Sequence, residues 1–316
     1  MKEESRVILN APTQAWLTRI AALGRPEYDD FATERERRLV ESAQLSDGFV
    51  GALPGGITVR EHRVGDGLLV REVRGQAADG PLPAYLLLHG GAFWHGSATE
   101  SVNMVIAANR ALQAGVAVFL ADYRLAPEFP CPAAIDDTIE VLRWLQQEAG
   151  TLDLDPSCLL LGGISAGANI ATAAAARVTG EGLIAGLILE VPAVDLRPDG
   201  SWDERFAAIN GLDSTEDMTR LYAGGLPADH PDISPVLVDV TAFPATHIVT
   251  AEYDPLRGGG EILATRLREA GVRVTATRHL GALHGSLGLT GADPIAQAWQ
   301  DDVSSALRRL VVATGA

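Results

Sequence analysis

Leu159-Leu160-Leu161-Gly162-Gly163-Ile164-Ser165-Ala166-Gly167, followed by the alanine-rich segment Ala168–Ala176, is the stretch whose reading decides the fold. Three leucines ahead of two glycines read as a buried strand. The alanines after them read as a helix whose small side chains let it lie close against a sheet. Between the two, glycines two residues before and two after Ser165 make G-x-S-x-G. That spacing lets the backbone turn sharply from strand to helix with the serine at the apex, its hydroxyl clear of the main chain. The helix begins just behind it, so its free N–H groups and the positive end of its dipole face any negative charge forming there. A plain Gly/Ser turn fits so short a motif equally well, and the rest of the chain has to decide.

Outward from this turn the same alternation repeats. Apolar runs at Tyr85–Leu88, Val116–Ala121, Cys158–Leu161, Leu187–Val191, His247–Ala251 and Val272–Thr277 alternate with helical stretches. The clearest helices are Ala133–Glu148, Ala166–Arg177, Gly260–Ala270 and Pro294–Val312. Alternating elements of these lengths predict right-handed crossovers and a mostly parallel sheet covered on both faces. In such a sheet functional residues sit at the carboxyl ends of strands. Gly51–Gly56 is a Gly/Pro break, and Ile57–Val64 and Leu68–Val73 after it predict an antiparallel hairpin joined around Gly65-Asp66-Gly67.

Two regions stand outside this rhythm. Residues 1 to about 50 read as helices, with an apolar stripe of Trp16, Leu17, Ile20, Ala21 and Leu23 and a highly charged stretch Asp29–Ser42. Asp195–Val240 carries Trp202, Phe206, Ile209, Leu221 and Tyr222 among charged residues and reads as a helical excursion over the sheet. The expected organisation is residues 1–50 as the N-terminal part of a helical cap, 51–194 as the first part of the core, 195–240 as a cap insertion and 241–316 as the second part of the core.

Composition narrows the function. A chain of 316 residues with 47% hydrophobic and 21% charged residues can build one sizeable core with a lid. A net charge of −16 excludes electrostatic binding to nucleic acid or an anionic membrane. Lys2 is the only lysine, so Schiff-base, P-loop and Ser-Lys mechanisms drop out. Cys131 and Cys158 make no disulfide framework and lack C-x-x-C spacing. The charged Met1–Val7 leads into no apolar segment, and no window approaches a membrane span, so a cytoplasmic protein is expected. No histidine pair has metal-ligand spacing, and no metal or cofactor is expected. A homodimer is compatible with the sequence, which does not decide oligomeric state.

Hydrolysis through a serine needs a base, an acid to orient that base, and donors for the oxyanion. His89-Gly90-Gly91-Ala92-Phe93-Trp94 follows the strand Tyr85–Leu88, and its glycine pair lets bare amides face a cavity. The N–H groups of Gly91, Ala92 and Ala166 would make three donors. Asp254 follows the strand His247–Ala251 and precedes Pro255; His284 lies beyond the last strand. The chain order Ser165, Asp254, His284 is that expected of an α/β-hydrolase. His279 is placed at the end of the last strand, His89 as a support for its loop, and His62, His230 and His247 as structural or surface residues.

The motifs resemble those of the hormone-sensitive lipase-like family of α/β-hydrolase carboxylesterases. They are H-G-G-A-F-W at His89–Trp94, D-Y-R-L-A-P-E at Asp122–Glu128, P-A-A-I-D-D at Pro132–Asp137, G-I-S-A-G-A at Gly163–Ala168, D-P-L-R at Asp254–Arg257 and H-G at His284–Gly285. The resemblance implies an eight-stranded, mostly parallel α/β-hydrolase sheet with a helical cap. It also implies Ser165 as nucleophile, His284 as base, Asp254 as acid, and the amides of Gly91, Ala92 and Ala166 as oxyanion donors. Three departures stand out. Ala92 replaces the third glycine of H-G-G-G, and Ile164 replaces an aspartate before the serine. Gly258-Gly259-Gly260 stands where an acidic residue is common, and is expected to loosen the loop carrying Asp254.

The leading expectation is a serine carboxylic-ester hydrolase acting on a small to medium, moderately apolar small-molecule ester. Its pocket would be lined by Phe93, Trp94, Ile164, Trp202, Phe206 and Tyr222. An acyltransferase or eliminating enzyme using the same site, and a non-catalytic small-molecule binder on this fold, remain open at this stage.

Overall fold

The computed structural model describes residues 7–22, 30–76, 80–212 and 214–315. Residues 1–6, the end of the apolar stripe at Leu23 and the start of the charged stretch at Asp29 lie outside the described residues. Eight strands, β1 (Ile57–Val64), β2 (Leu68–Gly75), β3 (Leu82–Leu88), β4 (Ala117–Ala121), β5 (Leu154–Ile164), β6 (Gly186–Glu190), β7 (Ala245–Tyr253) and β8 (Val274–Leu283), form one sheet. Their order is β1-β2-β4-β3-β5-β6-β7-β8. The β1–β2 hairpin and its junction with β4 are antiparallel, and every later neighbour is parallel. This is the eight-stranded, mostly parallel sheet of the α/β-hydrolase fold expected from the sequence.

The strands read as continuous apolar runs because both faces are buried. Leu86, Leu88, Phe119, Leu159 and Leu161 point to one face, where α4 (Ala133–Gln147), α5 (Ala166–Arg177) and α7 (Arg257–Glu269) cover them. Tyr85, Leu87, Val118, Leu120 and Leu160 point to the other, under α3 (Ser101–Ala114) and α8 (Pro294–Thr314). The period of two along each strand thus builds two cores from one sheet. Each fully buried leucine contributes about 1.5–3 kcal/mol.

The sequence names no helix over α3, whose apolar stripe is broken by Asn103 and Arg110. Both are nonetheless buried, and Arg110 pairs with Glu190 at the end of β6 (2.8 Å). Two further expectations need correction. The last strand runs on to Leu283, so His279 lies inside β8, stacked on Trp299 of α8, rather than at the strand's end. The excursion at 195–240 is mostly irregular: α6 (Thr215–Tyr222) is its one α-helix among the described residues, beside short 3₁₀ turns. Ahead of the sheet, α1 (Ala11–Ala21) and α2 (Phe31–Ser46) precede β1. They bury polar residues rather than apolar ones: Thr13 on α1, Glu34 and Glu41 on α2.

Candidate active site

The turn between β5 and α5 holds Ser165 at φ 56° and ψ −114°. Such a conformation costs a non-glycine residue on the order of 1–3 kcal/mol and persists only when its surroundings over-determine it. Here they do. A Cβ on Gly163 would lie 2.2 Å from the carbonyl carbon of Gly167, and one on Gly167 would lie 2.4 Å from the carbonyl oxygen of Leu88. Both glycines of the motif are therefore required by close approach of backbone to backbone. The Ser165 N–H donates to the Glu190 carbonyl (2.8 Å), which pins the turn to β6.

Residues from the ends of three strands meet there. Asp254, one residue beyond β7, is fully buried, and its Oδ1 accepts from the Leu256 N–H (2.9 Å). Its Oδ2 lies 2.9 Å from His284 Nδ1, and His284 Nε2 lies 2.8 Å from Ser165 Oγ. A buried carboxylate paired with an imidazole accepts only, so Nδ1 carries the proton, and Nε2 is left to accept from the serine hydroxyl. This tautomer is the one in which the ring can take the serine proton.

The loop after β3 supplies the oxyanion candidates. Gly91, Ala92 and Phe93 have φ of 134°, 48° and 70°, and the N–H groups of Trp94 and His95 both donate to the Gly91 carbonyl (3.1 and 3.0 Å). The N–H groups of Gly91, Ala92 and Ala166 have no backbone acceptor among the described residues. Ala92 and Phe93 both take a left-handed φ with a Cβ present, a strain of the same kind as that at Ser165. His89 Nδ1 lies 2.7 Å from the Gly90 carbonyl, and its ring stacks on Tyr123, so this histidine does support the loop.

The aromatic candidates divide into two groups. Phe93 and Tyr222 stack with centroids 3.9 Å apart, both buried, so α6 closes on the oxyanion loop. Buried Trp94 meets Phe31 of α2 edge-on (5.8 Å). Ile164 is buried beside Ser165, and Trp202 is part-buried with its indole N–H donating to Glu204 (2.8 Å). Phe206 packs instead with Tyr253, Leu283 and Trp16, beside the acid and base loops. The Trp16 ring lies so close to Gly285 that a Cβ there would meet it at 2.3 Å.

Gly258-Gly259-Gly260 does not loosen the Asp254 loop. The three residues form the first turn of α7, and a Cβ on Gly258 would lie 2.6 Å from the Ser201 carbonyl oxygen. One on Gly260 would lie 2.9 Å from Pro192. The helix needs glycine because the chain after β6 crosses against it.

Sequence reading missed Arg35, on α2. Its Nε and Nη2 donate to the carbonyls of Trp94 and Ala126 (2.6 Å each), and its guanidinium also pairs with Glu128. It thereby holds the oxyanion loop against the Asp122–Glu128 loop. Within the charged run Glu34–Arg38 nothing in the sequence distinguishes it from its neighbours. Among the described residues no group of three or more His, Cys, Asp or Glu could hold a metal ion.

A mostly parallel sheet with a serine at the tight turn after β5, and an acid and a histidine following the later strands, defines an α/β-hydrolase. A family profile for the alpha/beta hydrolase fold matches residues 85–288, so the chain belongs to that family. It is 35% identical over 213 residues to a carboxylesterase, NlhH, of Mycobacterium tuberculosis, an alignment covering 65% of this chain and 66% of that one. The chain thus spans just under two thirds of that relative's length. An acetyl-hydrolase of Streptomyces hygroscopicus is 31% identical over 247 residues, covering 77% of this chain and 78% of its own. Among solved structures, a hyperthermophilic esterase from Pyrobaculum calidifontis superposes with a TM-score of 0.85 at 28% identity, covering 96% of this chain and 99% of that one. The likeness to hormone-sensitive lipase-like carboxylesterases read from the motifs is borne out.

Proposed function

We propose that the protein is a serine carboxylic-ester hydrolase working through an acyl-enzyme. Ser165 attacks the ester carbonyl while His284 takes its proton. His284 then gives that proton to the leaving alcohol, and Asp254 holds the imidazole tautomer. Water next attacks the acyl-enzyme by the same relay. The amides of Gly91, Ala92 and Ala166 receive the oxyanion, with the α5 dipole behind Ala166. The observation that carries this reading is the unbroken contact from Asp254 Oδ2 through His284 to Ser165 Oγ, at 2.9 and 2.8 Å. The carboxylesterase and acetyl-hydrolase relatives point the same way.

The substrate is a small to medium, moderately apolar ester. Residues 1–50 and 195–240 act as a cap on the core formed by 51–194 and 241–316, with Phe93, Trp94, Ile164, Trp202, Phe206 and Tyr222 around the reacting bond. Contacts of Phe31, Arg35 and Trp16 with loops after the strands support that assignment of the cap. Two buried cysteine thiols and a strongly acidic composition suit a cytoplasmic protein. Among the described residues no helix is long and apolar enough to cross a membrane.

The test is a series of p-nitrophenyl esters of increasing acyl length, with Ser165→Ala as control. Turnover should be greatest on the shorter chains and fall by several orders of magnitude in the variant. Undiminished turnover by Ser165→Ala would refute the mechanism. Product analysis with an added alcohol separates hydrolysis from acyl transfer.

A further inference from the structure

Asn210 closes a 3₁₀ turn, Ala208–Asn210, in the irregular chain between β6 and β7. Its side-chain amide makes three hydrogen bonds, all to main chain. Nδ2 donates to the carbonyls of Phe206 and Tyr253, each at 2.7 Å. Oδ1 accepts from the N–H of His284 at 2.8 Å. Tyr253 immediately precedes Asp254, so one amide spans the backbones that carry the acid and the base. The partners dictate the residue type. Two carbonyls can only accept and an N–H can only donate, which leaves the amide a single orientation. A carboxylate would set oxygen against two carbonyl oxygens, and an alanine would remove all three bonds.

We propose that Asn210 is a positioning residue for the ester hydrolysis. By tying the Tyr253 carbonyl to the His284 N–H it fixes the separation of Asp254 from His284, and so the line from Nε2 to Ser165 Oγ. Elsewhere this loop is held by Ser286 Oγ, which accepts from the Leu283 N–H (2.9 Å), and by Trp16 against Gly285. The β7–β8 pairing of Tyr253 with Leu283 joins the two strands one residue short of Asp254 and His284, and Asn210 carries that join on to the His284 main chain. Because Asn210 belongs to residues 195–240, seating of that segment becomes a condition for an aligned base. The inference rests on Ser165, His284 and Asp254 forming the working relay.

The experiment compares Asn210→Ala, the nearly isosteric Asn210→Asp and Ser165→Ala with the parent protein. Hydrolysis of p-nitrophenyl acetate and the rate and final extent of fluorophosphonate labelling are measured for each. Both Asn210 variants should lose about 10- to 100-fold in kcat, the scale of a misaligned reacting pair, with KM moving less than about threefold. They should label slowly but to full stoichiometry. The proposal fails if either variant keeps the parent kcat, if KM rises while kcat holds, or if the loss equals the fraction of protein that no longer labels. Parent-like hydrolysis by Ser165→Ala would instead overturn the serine mechanism itself, whatever the Asn210 variants do.

Discussion

At Asp254 the chemistry turns on one proton. Its buried carboxylate accepts from both the Leu256 N–H and His284 Nδ1, which leaves Nε2 bare toward Ser165. Asp254→Asn keeps the shape but offers an N–H to Nδ1, so the ring takes the other tautomer and Nε2 can no longer accept the serine proton. On the proposed mechanism kcat should fall about 10⁴-fold with little change in unfolding temperature, read by steady-state kinetics beside thermal melts. A drop below tenfold would show that the tautomer does not matter. Gly258 makes a second residue-scale case, in which two effects oppose. Alanine normally favours a helix over glycine by about 1 kcal/mol, but here its methyl would stand 2.6 Å from the Ser201 carbonyl oxygen. The clash should win, and Gly258→Ala should destabilise by about 1–3 kcal/mol in urea unfolding. A more stable variant would show that the 192–201 chain yields.

Among the elements, α2 is bound to the body in an unusual way. Its buried side chains are Glu34 and Glu41, held by Arg37 and Arg38, and Arg35 is its grip on the oxyanion loop. Arg35→Ala should therefore cost turnover more than stability. We expect a roughly 10-fold lower kcat, since the Trp94 carbonyl is freed beside three residues at positive φ, with stability lower by about 1 kcal/mol or less. Unchanged kcat would mean that the loop holds itself. The pair joining α3 to β6 behaves differently. Arg110 and Glu190 are fully buried, and Trp299 Nε1 of α8 donates to the same carboxylate oxygen (2.9 Å). Arg110→Met leaves Glu190 without its counter-charge and should destabilise by about 3–5 kcal/mol; replacing both partners with apolar residues should recover much of that.

Over the whole molecule, several carboxylates are held below their ordinary range by arginine. A hydrogen bond from Arg37 does this for Glu34, one from Arg35 for Glu128 and one from Arg205 for Asp203. A folded-state value below the unfolded one means that the unfolded chain binds protons first as pH falls. Their stabilisation is complete above the ordinary values of 4.5 for Glu and 3.8 for Asp, and is lost as pH drops through the lowered ones. Urea midpoints should thus stay nearly level from about pH 7 to 5 and decline below about 4.5. A midpoint that rose on acidification would contradict the assignment of these pairs.

What could be read directly was whatever depends on neighbours in the chain. The β1–β2 hairpin, the span of α5 and the sharp turn at Ser165 follow from apolar period, helix propensity and backbone sterics, all acting over a few residues. The motifs of the carboxylesterase family likewise pointed to Ser165, Asp254 and His284 at the ends of strands. Other features were decided only by tertiary structure. The glycines at 258–260 read as slack until Ser201 and Pro192 lie against them, and α3 reads poorly because Arg110 finds its partner at the end of β6. Arg35 and Asn210 carry no signal at all, since the groups they hold, Glu128 beside main-chain carbonyls for Arg35 and main chain alone for Asn210, are brought close only by folding. A main-chain carbonyl or N–H is present at every non-proline residue, so no pattern of side chains announces which one a distant amide or guanidinium will reach.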